Sequence, residues 1–419
     1  MRNPGSGQTS AALRPAIARA LIALAVTAVC GISLLFERLP EAFSPVGQWD
    51  FEAYYYALKV YDAGGNPYDM SAVVKAAQGA VWPFLYPHHT FAFFRLFAFD
   101  DIRTAKDVYL AARLVCLGAL LLLWSHVFVR AGARGWFLAF ASVGCNATIC
   151  RDLLIGNVSI FEQTLIWFGL FALLRGRAGW FCLLIVLAAQ FKLLLICLLP
   201  LALFAGTRRK WAYLCGSVAA CGLMGLGVYL SNPSMARAFA RLTLDQGAMG
   251  FGGQMNPCSL ALLRDAADGL LRSWEAMGDL RPREVADVVY VVFAVAVAGV
   301  YVHAVRRGME LRRALLVGIL TYVVLAPRMK DYSYIIALVP MFEMIRERIS
   351  KPDSARPLVL AATLMLAMPG LDMLWEYRPL VLAGWAWLIG VSSAPGATSP
   401  GESLGTGASI VAGTGRTGP

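Results

Sequence analysis

Charged residues are scarce in this chain. Only 15% of its 419 residues are Asp, Glu, Lys or Arg, against about one quarter in a soluble globular domain. Acids are the scarcer sign, 26 against 37 basic residues, which leaves a formal charge of +11. Histidine occurs four times. No P-loop, no G-x-G-x-x-G after a strand, no G-x-S-x-G outside the Gly- and Ser-rich C-terminal tail and no spaced set of zinc ligands is present. Nucleotide, serine-hydrolase and zinc sites therefore have no sequence support. None of the nine cysteines forms a C-x-x-C pair, and all but Cys258 sit in apolar runs. They read as small buried hydrophobes, not as disulfides or metal ligands.

What is abundant is apolar surface. Hydrophobic residues make up 58% of the chain, and the mean hydropathy is +0.62. Long apolar stretches broken by few charges indicate a polytopic membrane protein. In lipid the backbone must satisfy its own hydrogen bonds, so the expected fold class is all-α. The basic excess is then the charge of cytoplasmic loops and of segments near anionic lipid. With no recognition motif in view, nucleic acid is not expected as a partner.

The criterion of about 20 apolar residues per span gives about twelve candidate transmembrane helices. They lie near 16–36, 83–99, 107–129, 135–150, 156–174, 179–204, 211–230, 285–305, 314–326, 332–346, 357–371 and 379–393. Arg2, Arg14 and Arg19 flank the first run, and no A-x-A site lies just before "FERLP", which predicts an uncleaved, inside-anchored first span, with a cleaved signal peptide as the alternative. Counting from there, "TRRK" at 207–210, "RRGMELRR" at 306–313 and "RERISKPDSAR" at 346–356 fall on the cytoplasmic side, as the positive-inside rule asks. Segments 37–82 and 231–284 are the long outer loops of an integral membrane domain covering 1–391. The same count leaves Asn157 on the inner side. Residues 392–419, rich in Gly, Ser, Thr and Pro, form a cytoplasmic tail expected to be disordered.

The first outer loop carries "GQWDFEAYYYALKVYDAGGNPYDM", residues 47–70. "FEAYYYALKVYDAG" is helix-like, stopped by Gly64 and Gly65 and followed by an "NPYD" turn. Its aromatic content suits a helix lying in the headgroup layer, with the tyrosines as an aromatic belt or as contacts to a ligand. Asp50, beside Trp49 and Phe51, is either a helix cap or a carboxylate whose apolar surroundings raise its pKa enough to make it a base. Lys192 interrupts "VLAAQFKLLLICLLPLAL". A lysine there needs an anion, a wet cavity or a route to the interface. Arg328, Lys330 and Asp331 cluster between Pro327 and Tyr332 and are either ligands or a solvated loop. His88 and His89 are adjacent and point apart. With no spaced ligand set around them they suit a sugar or lipid contact better than a metal.

"WDFEAYYYA", "GGNPYD" and "FLYPHHTFAFFRLFAF" together resemble the segment after the first span in glycosyltransferase family 87, membrane mannosyl- and arabinosyltransferase-like proteins of GT-C architecture. Asp50, Phe51, Tyr54, Tyr55, Ala57, Gly65, Pro67, Tyr68, Asp69, Tyr86 and Pro87 carry that likeness. "GNVSIFEQ", "AAQFKLLLICLLPL", "GGQMNPCSLALLRDA" and "LAPRMKDYSYIIALVP" resemble later family elements in the same order. His88 stands where the family has a second proline, Asn157 and Ser159 stand where it has Gln and Asn, and "RMKDY" replaces a late histidine.

The resemblance implies a hexosyltransferase that works on the outer face of the cytoplasmic membrane; with no spaced ligand set in the sequence, no cofactor or metal is expected. It would take a sugar such as mannose from a polyprenyl phosphate and pass it to a lipid-linked or glycan acceptor of the envelope. Asp50 is then the general base. Lys192, Arg264, Arg328 and Lys330 are candidates for the donor phosphate. Glu52, Tyr54, Tyr55, Asp69, Tyr86, His88, His89, Asn157, Asn256 and Asp331 are candidates for substrate contact. A transporter or lipid flippase is the alternative, although the chain shows no repeated halves. A structural subunit of an envelope complex with a dead site is a third reading.

Overall fold

Helix α1, Trp49–Asp62, stands where the tyrosine-rich stretch predicts a helix. It is preceded by Gln48 in the left-handed region (φ 62°), and its first turn carries Asp50 and Glu52 near the positive end of the helix dipole. The computed structural model describes residues 40–44, 47–248, 253, 256–272, 282–350, 363 and 376–392. The first span, the 357–371 span and the 392–419 tail expected from sequence thus lie essentially outside the described residues. Within the described residues the chain is all-helical, with no strand.

After α1 come α2 (Met70–Ala77), α3 (Ile102–Leu123), α4 (Arg134–Ile155), α5 (Ser159–Leu174), α6 (Ala178–Ala189) and α7 (Lys210–Ser231). They are followed by α8 (Pro233–Ala248), α9 (Ser259–Arg272), α10 (Pro282–Arg306), α11 (Leu311–Leu325), α12 (Leu338–Ser350) and α13 (Arg378–Ser392). Three helices among the described residues are long and apolar enough to cross a bilayer: Ile102–Phe128, Lys210–Ser231 and Arg283–Arg306. The halves of α4, bent by 57°, make a fourth if counted as one span. Ser159–Leu174, Ala178–Ala189, Leu193–Phe204 and Arg378–Ser392 are apolar but shorter. The described residues do not confirm the sequence count of about twelve full spans. Helix α7 buries only Ser217, while Trp211, Leu223 and Leu230 are each 60% exposed or more. Such an open apolar surface belongs in lipid, not in water.

Two segments depart from the expected spans. Residues 83–99 are not a spanning helix. They form an extended stretch and then short helical turns, His88–Thr90, Phe91–Phe94 and Arg95–Phe97. Pro83 and Pro87 remove backbone donors and push their predecessors out of the helical region, so no regular helix starts before His88. Conversely, 179–204 is two limbs, not one. Helix α6 ends at Ala189, Lys192 is extended (φ −140°, ψ 94°), and Leu193–Phe204 continues as a tight 3₁₀ helix containing Pro200.

The packing shows which way the limbs run. Gly179, at the start of α6, lies against the Tyr213 ring near the start of α7. The far end of α7, Ser231, hydrogen-bonds His88 (3.2 Å). The 3₁₀ limb ends with Phe204 against Tyr301 (6.0 Å between ring centroids), whose hydroxyl donates to Ala314 O (2.8 Å). The bundle therefore has two distinct ends. One gathers Arg130, Arg134, Arg175, Arg177, Arg208–Lys210, Arg306, Arg307, Arg312 and Arg313. The other gathers the starts of α1, α5 and α9 with the 328–332 loop. Because 83–99 does not traverse the bundle and 179–204 does so twice, the two departures cancel. The 207–210 cluster stays at the basic end, while Asn157 moves to the end that carries Asp50.

The bundle core joins α3–α6, α11–α13 and the 3₁₀ limb. A separate aromatic cluster packs α1 against 84–97 and the first turns of α3. Tyr54 and Tyr55 are only 3% exposed within it. They are therefore not a headgroup belt. Tyr54 packs edge-on to Tyr86, and the Tyr55 hydroxyl donates to Phe99 O and Asp100 O, both at 2.8 Å.

Candidate active site

Helix α4 ends at Gly156, whose φ of 78° is the left-handed stop that glycine adopts freely. The next residue, Asn157, lies two residues before the start of α5. Its Oδ1 accepts from Ser159 N (3.1 Å) and Ser159 Oγ (2.7 Å). Those two donors fix the orientation of the amide, so Nδ2 faces the other way. It donates to Asp50 Oδ2 (2.6 Å) and lies 3.1 Å from the Tyr54 hydroxyl and 3.3 Å from that of Tyr332. The pair is held from behind by backbone. Gln48 N donates to Leu154 O at 2.7 Å, and Gly156 lies so close to Gln48 that a Cβ there would meet its Cα at 2.7 Å.

Asp50 lines a cavity of about 490 Å³. Trp49, Tyr54, Trp82, Tyr86 and Phe191 supply aromatic walls, and Lys192, Arg328 and Lys330 supply cationic groups. Burial pushes the Asp50 carboxyl up from 3.8 to about 6, against the opposing hydrogen bond from Asn157. Burial, and then the charge of Arg328, pulls the Lys330 ammonium below its ordinary value. Lys192 Nζ donates to Ser333 Oγ (3.0 Å). Asp331 is ion-paired with Arg151 and also accepts from Tyr332 N (2.9 Å).

The structure thus brings Asp50, Tyr54, Tyr86, Asn157, Lys192, Arg328, Lys330 and Asp331 to one cavity. Seven other sequence candidates lie outside its lining. Glu52 binds Lys106 (2.6 Å). Tyr55 is turned to the 99–100 backbone. Asp69 caps α2 through Ser71 N (3.0 Å). Arg264 pairs with Asp287 (2.8 Å), and Asn256 accepts from Met329 N (2.6 Å). His88 contacts Ser231, and His89 does not line the cavity. No group of three metal-ligating side chains occurs among the described residues.

The sequence reading passed over three features. Glu162, in the first turn of α5, lines the cavity at 3% exposure. Tyr332 closes the Asn157 network. Arg113 and Asp152, both wholly buried, pair at 2.6 Å. The Arg113 guanidinium also donates to the backbone carbonyls of Asp152 and Leu153 (3.1 Å for the latter), the last turn of α4. It therefore caps the helix end that delivers Asn157. Arg113 and Glu162 both had a sequence signal: each is an ionisable residue inside an apolar run.

Residues 84–327 match the family model of glycosyltransferase family 87. No curated protein and no solved structure matches the chain. The matched region contains Tyr86, Asn157, Glu162 and Lys192; Asp50 precedes it and Arg328 follows it.

Proposed function

The chain belongs to glycosyltransferase family 87, and on that premise we propose that it moves a hexose or pentose, such as mannose, from a polyprenyl phosphate to a hydroxyl of a lipid-linked or glycan acceptor. The observation that carries this reading is the Asp50–Asn157 pair facing Lys192, Arg328 and Lys330 across one cavity. Asn157 holds Oδ2 of Asp50, and Oδ1 takes the proton of the acceptor hydroxyl. The acceptor oxygen attacks the anomeric carbon as the bond from that carbon to the phosphate oxygen breaks. The polyprenyl phosphate leaves with the electron pair, and the three cations stabilise its charge. A carboxyl titrating near 6 is ionised at neutral pH yet basic enough for the task. Attack from the Asp50 side, opposite the leaving phosphate, inverts the anomeric centre.

The two-ended distribution of charge supports an orientation with the basic end cytoplasmic and the cavity on the outer face of the cytoplasmic membrane. The aromatic and apolar lining would seat the allylic end of the polyprenyl chain while its tail stays in hydrocarbon. Asp50→Asn keeps the shape and most of the hydrogen bonding but cannot accept a proton. It is expected to bind a synthetic polyprenyl-phosphate sugar normally and to lose about 100- to 10,000-fold in turnover. Near-normal turnover of Asp50→Asn in a preparation where the unmodified protein is active would refute the assignment.

A further inference from the structure

Glu162 has no role in the steps above, yet it stands inside the same cavity. Its side chain is almost wholly buried, at 3% exposure, and it makes no hydrogen bond or ion pair among the described residues. Its backbone N–H is spent on Val158 O (3.2 Å) in the start of α5. Lys192 is within electrostatic range of it, but the lysine ammonium is hydrogen-bonded to Ser333. A buried carboxylate without donors is costly, and native structures supply those donors from protein, water or ligand. Here the protein supplies none. A phosphate group cannot do so either, since it brings like charge and acceptor oxygens. A polyol can: its hydroxyls donate, and its C–H faces suit the neighbouring Tyr86 and Phe191 rings.

We infer that Glu162 accepts hydrogen bonds from hydroxyls of the donor sugar and is the specificity-determining residue of the donor side of the cavity. This rests on the polyprenyl-phosphate reading of the site. The division of labour follows from position. Lys192 takes the phosphate, Glu162 beside it takes the sugar attached to that phosphate, and Asp50 with Asn157 takes the acceptor. A site that presents a buried carboxylate to a hydroxyl also rejects analogues lacking that hydroxyl, because the carboxylate is then left unpaired.

The test is a binding measurement on the purified full-length protein in detergent, read by quenching of tryptophan emission, since Trp49 and Trp82 line the cavity. The probes are a short-chain polyprenyl phosphate without sugar and the same lipid phosphate carrying mannose, glucose, galactose or arabinose. The sugar increment is the ratio of the two dissociation constants, taken for the sugar that binds best. Glu162→Gln, which removes a buried charge and keeps the shape, is expected to reduce that increment about 10- to 100-fold. Binding of the sugar-free lipid phosphate should be unchanged or tighter. Glu162→Met should act in the same way. The monodeoxy sugar that loses the increment in the unmodified protein should show no further loss in Glu162→Gln, the signature of a direct contact. An unchanged increment means that water alone serves Glu162, and equal weakening of both lipids means that Glu162 acts on the phosphate. Either result overturns this inference and leaves the donor reading intact. Failure of the unmodified protein to bind either lipid overturns the donor reading, and this inference with it.

Discussion

Replacing Gly156 by alanine tests the geometry of the site without touching any group that would meet substrate. Two effects add. The φ of 78° puts an L-residue in the left-handed region, at about 1–2 kcal/mol. The new Cβ would also stand 2.7 Å from Gln48 Cα and Cβ, atoms that cannot swing away as the end of a flexible side chain could. Restoring an ordinary carbon contact of about 3.5 Å requires the two strands of chain to part by about 0.8 Å. The Gln48 N to Leu154 O bond, 2.7 Å as it stands, would stretch to about 3.5 Å, beyond hydrogen-bond range. Asp50 is two residues beyond Gln48 and Asn157 is next to Gly156, so their 2.6 Å bond opens by a similar amount. A misplacement approaching 1 Å costs about 100-fold in rate. Gly176 supplies the control. Its φ is 75° and nothing lies within 4 Å of its Cβ position, so Gly176→Ala carries the backbone strain alone. Both variants should lose thermal stability in detergent, with overpacking adding about 1–3 kcal/mol for Gly156→Ala. Only Gly156→Ala should lose turnover, by about 10- to 100-fold, with Gly176→Ala within about twofold of the unmodified protein. Equal turnover in the two folded variants would show that the contact with Gln48 does not set the position of Asn157.

Turnover should rise with pH through an apparent pKa near 6, the value at which Asp50 ionises, and a rate independent of pH between 5 and 7 would exclude Asp50 as the base. The linked stability effect has the opposite sense. A carboxyl held at about 6 instead of 3.8 makes the folded state bind its proton more tightly, so stability falls as pH rises from 3.8 through 6, by up to about 3 kcal/mol. Asp50→Asn should therefore melt higher than the unmodified protein at pH 8, and an unchanged or lower midpoint would contradict the burial argument. Arg113→Met leaves Asp152 charged and unpaired in the core, a loss of about 3–5 kcal/mol, whereas Arg113→Met with Asp152→Leu should recover most of it; a double variant no better than the single one would show that capping of α4, not the ion pair, is what matters. Lys192→Met should weaken binding of a polyprenyl phosphate at least tenfold while the protein still reaches the membrane, and unchanged affinity with poorer folding would make the lysine structural.

Much of this molecule was legible in its residues because lipid imposes a severe rule. Every charge in an apolar run needs a reason, and that rule alone singled out Lys192 and would have singled out Glu162 and Arg113. The helical character of α1 and the stop at Gly64 and Gly65 follow from local chemistry, and the all-helical class follows from backbone hydrogen bonding without water. What composition could not convey was the course of the chain through the bundle. Hydropathy records how apolar a stretch is but not whether it continues straight, so 83–99, with its prolines, read as a span, and 179–204, broken at Lys192, read as one instead of two. The tyrosines of α1 were ambiguous for a related reason: an aromatic suits a headgroup layer and a protein core alike, and only packing against 84–97 decides that Tyr54 and Tyr55 are core. The pairing of Asp50 with Asn157 joins residues 107 positions apart. Neither its 2.6 Å distance nor the desolvation that moves the Asp50 carboxyl toward neutrality is a property of any local segment. Both arise when α3 and α4 run out and back and return the Gly156 turn against Gln48, and that long-range closure is settled by tertiary packing alone.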